Sequence, residues 1–107
     1  MKGDVLGRVW HEEEVSGWKG IWTRDGNTNE FNAEFRHPSG QTIGGKLSME
    51  VQGNSVYIHR WNPGTWGTCE YVGKFSADFK TVSGTYRCTD ENSQPTPTYQ
   101  WSARISK

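Results

Sequence analysis

Trp18-Lys19-Gly20-Ile21-Trp22 and Phe31-Asn32-Ala33-Glu34-Phe35 decide how the rest of the chain is read. In each stretch every second residue is aromatic or small, the period of a half-buried strand. Between them lies Asp25-Gly26-Asn27-Thr28-Asn29, a run of turn formers. Folding the chain at the middle of that run sets Trp22 opposite Phe31, Gly20 opposite Ala33 and Trp18 opposite Phe35. Large then meets large and small meets small on one surface. A chain with such a hairpin near its start is expected to be all-β, with this surface facing inward.

Composition agrees with one small folded unit. The 107 residues suit a single β-barrel domain over 1–107 with one modest core. Val, Ile, Leu and Phe together fall below about a fifth of the chain, a level at which disorder has to be considered. Net charge is zero, so nothing holds the chain open by repulsion. Six Trp and four Tyr supply the missing apolar area, since a large aromatic buries roughly 150–250 Å². The core is expected to be aromatic rather than aliphatic.

The charges are scattered, apart from the run His11-Glu12-Glu13-Glu14. No basic stripe is present to neutralise phosphates, so nucleic acid is not an expected partner. No apolar run is long enough to cross a bilayer as a helix, and no membrane partner is expected. Met1 is not followed by a signal-peptide pattern, although a mature exported protein given a new start codon would read the same.

Thirteen Gly and several turn clusters cut the chain into short segments at the spacing of a sandwich or barrel. Strands are expected near 17–24, 29–37, 42–52, 55–61, 67–75, 80–88 and 97–106. A two-residue turn at Gly53-Asn54 pairs Val51 with Val56, Met49 with Ile58 and Leu47 with Arg60. A turn centred between Asp78 and Phe79 pairs Val82 with Phe75, Gly84 with Gly73, Tyr86 with Tyr71 and Cys88 with Cys69. Residues Val5 to Trp10 supply either an eighth strand or a helical plug, because Val5/Val9 and Leu6/Trp10 are both four apart. An even number of up-and-down strands closes without an open edge, which favours a closed barrel. The expected fold is therefore a small antiparallel up-and-down β-barrel of seven or eight strands.

The Trp-x-Gly-x-Trp strand, Val82-Ser83-Gly84-Thr85-Tyr86 and the closing Tyr99-Gln100-Trp101-Ser102-Ala103-Arg104-Ile105 resemble the lipocalin and avidin group of small, calycin-like barrels. The lipocalin Gly-x-Trp is matched by Gly20-Ile21-Trp22. This resemblance implies a barrel whose open mouth often receives a small ligand. The biotin-contacting residues of the avidins have no counterpart that can be placed here, and the chain is short for a lipocalin. Trp-x-Gly-x-Trp-x-Arg followed by Phe-x-Ala also resembles small bacterial proteins of unknown function, a likeness that carries no activity.

Three constellations bear on function. Cys69 and Cys88 fall opposite each other in the register that also aligns the apolar residues, within disulfide reach. The readings are a structural disulfide or two reduced, buried thiols, and register favours the bond. A disulfide would favour a periplasmic or secreted compartment. Arg60 falls on the inward face with Met49 and Ile58, where a cation needs a partner. It is either an anchor for a ligand carboxylate or phosphate, or a structural Arg stacked on an inner ring. Small eight-stranded barrels are often filled by their own side chains, which favours the structural Arg. In Trp61-Asn62-Pro63-Gly64-Thr65-Trp66-Gly67, Trp61 and Trp66 either meet a partner or fold over a barrel end.

Enzyme signatures are absent from the sequence. His11, His37 and His59 lack zinc spacing, and there is neither a Gly-x-Ser-x-Gly elbow nor a Walker loop. The His11–Glu14 run reads as a solvated charge cluster, or at most a weak metal site. No cofactor, metal or catalytic residue is assigned. The expected function is non-enzymatic binding of a small apolar or anionic ligand, lined by Arg60, Trp18, Trp22, Tyr71, Tyr86 and Trp101. The alternative is a structural or interaction domain with a filled core, meeting a protein or carbohydrate through Trp61 and Trp66, or a second copy as a homodimer.

Overall fold

The inward set of alternate residues closes on itself. In the computed structural model, which describes residues 5–61, 67–89 and 94–106, eight strands follow one another in sequence. They are β1 (Val9–Glu14), β2 (Lys19–Arg24), β3 (Glu30–Arg36), β4 (Thr42–Gln52), β5 (Ser55–Trp61), β6 (Thr68–Phe75), β7 (Thr81–Thr89) and β8 (Tyr99–Ser106). Each is antiparallel to its neighbours, and β8 returns to pair with β1, giving a closed up-and-down barrel. Closure leaves no unpaired edge. No helix occurs among the described residues.

Two hairpins follow the expected register. The turn at Gly53, with φ of 62°, pairs Val51 with Val56, Met49 with Ile58 and Leu47 with Arg60. Across β6 and β7, Phe75 meets Val82, Gly73 meets Gly84, Tyr71 meets Tyr86 and Cys69 meets Cys88. That turn holds Phe79 in the left-handed region, with φ of 57°. Its ring packs on Phe75 at 5.1 Å. The Asp78 carboxylate accepts from Ser76 Oγ and from the Lys80 N–H, which hold its pKa below the ordinary value.

The β2–β3 hairpin corrects the expected pairing by two residues. Trp22 lies opposite Ala33, Gly20 opposite Phe35 and Arg24 opposite Phe31. The turn is centred one residue further along, where the Asp25 N–H donates to the Glu30 carbonyl. A two-residue shift keeps every side chain on its face but exchanges its partner. Across this hairpin Trp22 now faces Ala33 and Phe35 faces Gly20, while on its other side Trp22 faces a second ring, Trp10 of β1. Trp18 precedes β2 and lies half-buried at the barrel end, 5.0 Å from the His37 ring.

The N-terminal segment supplies the eighth strand, starting later than expected, and the helical alternative is not seen. Residues 5–8 form a turn, and buried Leu6 closes one end of the barrel. Its carbonyl accepts from Trp10 Nε1 at 2.8 Å. The strand begins at Val9 and continues through the acidic run to Glu14. The reading of His11–Glu14 as a solvated cluster is thereby corrected. His11 and Glu13 face solvent, whereas Glu12 and Glu14 point into the barrel and are buried.

The core is aromatic. Trp10 stacks on Trp22 at 5.7 Å and on Trp101 at 6.5 Å. Trp101 reaches across β7, and its Nε1 donates to the carbonyls of Val72 and Thr85 at 3.1 Å each. Gly73 and Gly84 make this crossing possible. A Cβ on Gly73 would lie 2.9 Å from Trp101 Cζ2, and one on Gly84 only 1.9 Å from the Val72 carbonyl oxygen. Gly84→Ala should therefore cost at least about 2 kcal/mol by forcing β6 and β7 apart. Gly44→Ala, whose Cβ would meet nothing closer than 3.9 Å, should be neutral or mildly stabilising. Urea unfolding of the two variants checks this; equal stabilities would contradict it.

Candidate functional site

The two barrel ends differ. At one end Leu6, Phe31 and Phe75 are buried beneath the turns, with Phe79 packed against them. At the other, where β1, β3, β5 and β7 finish, a cavity of about 500 Å³ opens. Ser16, Trp18, Ile43, Tyr86, Tyr99 and the half-cystines Cys69 and Cys88 form its wall, and Glu14 and Arg60 also line it. Cys69 and Cys88 are joined in a disulfide that ties β6 to β7 at this rim.

The charged lining is built from inward positions on facing walls. Glu14 ends β1 and Arg60 nearly ends β5, and each is 8 % exposed. Between them stands Tyr71 of β6. Its hydroxyl donates to Glu14 Oε2 at 2.8 Å and accepts from Arg60 Nη1 at 2.9 Å. Arg60 Nη1 lies 3.8 Å from the same carboxylate oxygen, and the guanidinium carbon sits 3.8 Å above the Phe35 ring. A buried ion pair tolerates desolvation only with such added hydrogen bonds. Burial chiefly drives the Tyr71 hydroxyl well above its ordinary pKa, so the phenol stays protonated and donates. Burial likewise raises Tyr86, whose hydroxyl pairs with Ser16 Oγ at 3.3 Å.

One turn of the pleat below Glu14, Glu12 is almost wholly enclosed, at 1 % exposure. It pairs with Gly20, and a Cβ there would lie 2.7 Å from Glu12 Oε1 and 2.8 Å from Trp22 Nε1. Gly20 therefore leaves the room that this carboxyl and the indole edge occupy. No described residue gives either Glu12 oxygen, or Trp22 Nε1, a well-formed hydrogen bond. Burial, and then the adjacent Glu14, push the Glu12 carboxyl from its ordinary 4.5 up to about 11, partly opposed by Arg60. Glu12 is thus a neutral acid at pH 7.

The structure separates the residues expected to line a ligand. Arg60, Trp18 and Tyr86 border the cavity. Tyr71 sits beneath it and is joined to it through the hydroxyl. Trp22 and Trp101 belong to the packed core, with ring centres 5.6 and 5.3 Å from that of Tyr71. Trp61 faces outward and stacks on His59 at 5.6 Å, and His59 Nδ1 lies 2.8 Å from Glu70 Oε2. Trp66 lies outside the described residues. The sequence reading missed Glu14 and Glu12, although Trp10-x-Glu12-x-Glu14 continues the inward alternation of β1. Among the described residues no three His, Cys, Asp or Glu side chains converge as metal ligands would.

No protein-family model matches the chain, and no match was found among curated proteins.

Two outcomes follow from this geometry. Folded Glu12 keeps its proton from its ordinary 4.5 up to about 11, whereas the unfolded chain releases it. The folded state binds the extra proton in that window, so stability falls as pH rises, by at most about 1.4 kcal/mol per unit. Glu12→Gln, with Glu14, Glu13 and Arg60 unchanged around it, should flatten this decline between pH 5 and 9 in urea titrations. Parallel declines in both proteins would exclude Glu12 as the source. The Cys69–Cys88 bond closes a loop with a sequence separation of 19. Replacing both cysteines by Ala should cost roughly 3 kcal/mol, and thiol titration of the denatured wild-type chain should find no free cysteine.

Proposed function

We propose that this protein is a small non-enzymatic binding module that holds a small ligand with an apolar body in the aromatic mouth of its barrel. The observation that carries this reading is the cavity of about 500 Å³ over a buried, hydrogen-bonded polar floor. Ligand sites typically combine roughly 300–1,000 Å³ of mostly apolar wall with a few fixed polar groups. The barrel topology supports the resemblance to the lipocalin and avidin group, in which the open mouth receives the ligand. Trp22 and Trp101 would act from below, as the packed base on which Tyr71 rests. Glu14 beside Arg60 turns the reading from a ligand carboxylate or phosphate toward a ligand without negative charge.

A second reading is an interaction domain acting through its outer surface, with a protein or carbohydrate partner or a second copy. Its support is the outward face where exposed Tyr57 and Val72 pair across β5 and β6, next to the His59–Trp61 stack.

A neutral fluorescent probe, N-phenyl-1-naphthylamine, separates the two. It should bind saturably at one site and quench tryptophan emission. Ile43→Trp, placed at the half-buried rim, should fill the mouth and weaken binding by about tenfold or more with the melting temperature little changed. Binding that survives this substitution would place the probe elsewhere and favour the outer surface.

A further inference from the structure

We infer that the interior rings form a one-electron path, along which oxidation of a buried indole passes outward to Tyr99 at the mouth, with Glu14 taking the first phenolic proton. The path needs no ligand in the mouth.

The rings make a continuous series from core to rim. Trp22 lies 5.7 Å from Trp10 and 5.7 Å from Trp101. Tyr71 lies 5.6 Å from Trp22 and 5.3 Å from Trp101. Tyr71 stacks on Tyr86 at 4.9 Å with planes 17° apart, and Tyr86 meets Tyr99 at 5.6 Å. Every step falls within the contact range of paired rings, about 4.5–7 Å, where neighbouring π-systems pass an electron readily. Indole and phenol are also among the most easily oxidised side chains.

The series has a direction. Among the described residues, the other rings against Trp10 and Trp22 are Phe31, Phe75 and Phe35. A phenyl ring is far harder to oxidise than an indole, so these close the path on their side. Toward the mouth, exposure rises from 1 % at Tyr71 through 5 % at Tyr86 to 36 % at Tyr99.

A phenol gives up an electron easily only when its proton has somewhere to go. The Tyr71 hydroxyl donates to Glu14 Oε2 at 2.8 Å, within reach for proton transfer. An indole radical cation takes an electron from Tyr71, whose proton moves to Glu14, leaving neutral indole and a phenoxyl radical. Tyr86 supplies the next electron, and Tyr71 recovers its proton from Glu14. The Tyr86 proton leaves through exposed Ser16, whose Oγ is 3.3 Å from the phenol oxygen. Tyr99 then reduces Tyr86, which is reprotonated through Ser16, and releases its own proton to water. The sum is one electron moved from Tyr99 to the indole and one proton lost to solvent.

The test oxidises the indoles with light absorbed by tryptophan and not by tyrosine. Chloropentaamminecobalt(III), a one-electron acceptor that decomposes on reduction, takes up the ejected electron. The spin trap 2-methyl-2-nitrosopropane marks tyrosyl radicals, and peptide mass spectrometry locates them. Tyr57 is the internal control, because it is 47 % exposed and stands outside this ring series. Exposure alone would favour Tyr57, whereas the path should label Tyr99 severalfold more. Tyr86→Phe keeps the packed ring and removes the phenol, and should cut Tyr99 labelling about tenfold or more while leaving Tyr57 unchanged. Glu14→Gln removes the proton acceptor and should lower Tyr99 labelling in the same way. Where a variant fails to fold, the wild-type ratio still decides. Tyr57 labelled as strongly as Tyr99, or Tyr99 labelling untouched by Tyr86→Phe, overturns the path, and labelling untouched by Glu14→Gln removes the carboxylate from it.

Discussion

Three indoles from the adjacent strands β8, β1 and β2 crowd one side of the barrel, and the rest of the interior is arranged around them. Trp10, Trp22 and Trp101 lie within 5.7–6.5 Å of one another by ring centre. A narrow barrel cannot hold three such groups unless the opposite positions are small. Ala33 faces Trp22, Gly84 faces Trp101, and Gly73 lies beyond it under the indole edge. Gly20 gives way to the Glu12 carboxyl and the edge of Trp22. The glycines of this protein are thus of two kinds. Some turn the chain, as Gly53 does, and some make room for aromatic bulk that few aliphatic residues are present to replace.

Filling the barrel from one end with indoles has a consequence for the other. The packed layer stops at Tyr71, whose ring contacts both Trp22 and Trp101 while its hydroxyl belongs to the polar layer above. Tyr71 therefore couples core packing to the position of Glu14 and Arg60. A buried ion pair is weak grounds for stability, since apolar side chains of similar volume often do as well. A small barrel that keeps Glu12, Glu14 and Arg60 inside, with Glu12 forced into its neutral form, retains groups that packing does not require. Their place directly under the open end is the strongest ground for reading the mouth as a site of use.

Much of this was legible from period-two alternation alone. Val51/Val56, Met49/Ile58 and the whole Phe75–Cys88 hairpin paired as expected, because turns at Gly53 and at Asp78-Phe79 fix the register once the turn type is known. The inward placement of Arg60 followed from the same parity. The β2–β3 pairing slipped because Asp25–Asn29 offers several turn centres that differ only by whole steps of the pleat, and faces alone cannot choose among them. The structure takes the centre that sets Trp22 against Ala33 and Phe35 against Gly20, although elsewhere like still meets like, as at Tyr71/Tyr86 and Gly73/Gly84. Glu12 and Glu14 were hidden by their chemistry. Three consecutive acids read as solvent-facing, and only the inward position of Trp10 two residues earlier showed where the alternation led.

The connections divide along the same line as the interior. The closed end carries the tight turn at Gly53 and the hydrogen-bonded turns at 25–30 and 76–81, above the Leu6 plug. The open end carries the connections after β1, β3, β5 and β7, where a scaffold can vary without disturbing its core. The Cys69–Cys88 bond falls on that rim rather than in the packed half. The indole layer already orders the lower strands, and a further link there would restrain little. At the rim β6 and β7 lack that support. The bond therefore holds one wall of the mouth at the level where Tyr71, one pleat lower, presents its hydroxyl to Glu14. A site built this way has its polar floor fixed by the core and one wall fixed covalently. Trp18 and Ile43, both half-buried on the other side, are left as the part that can adapt to what enters.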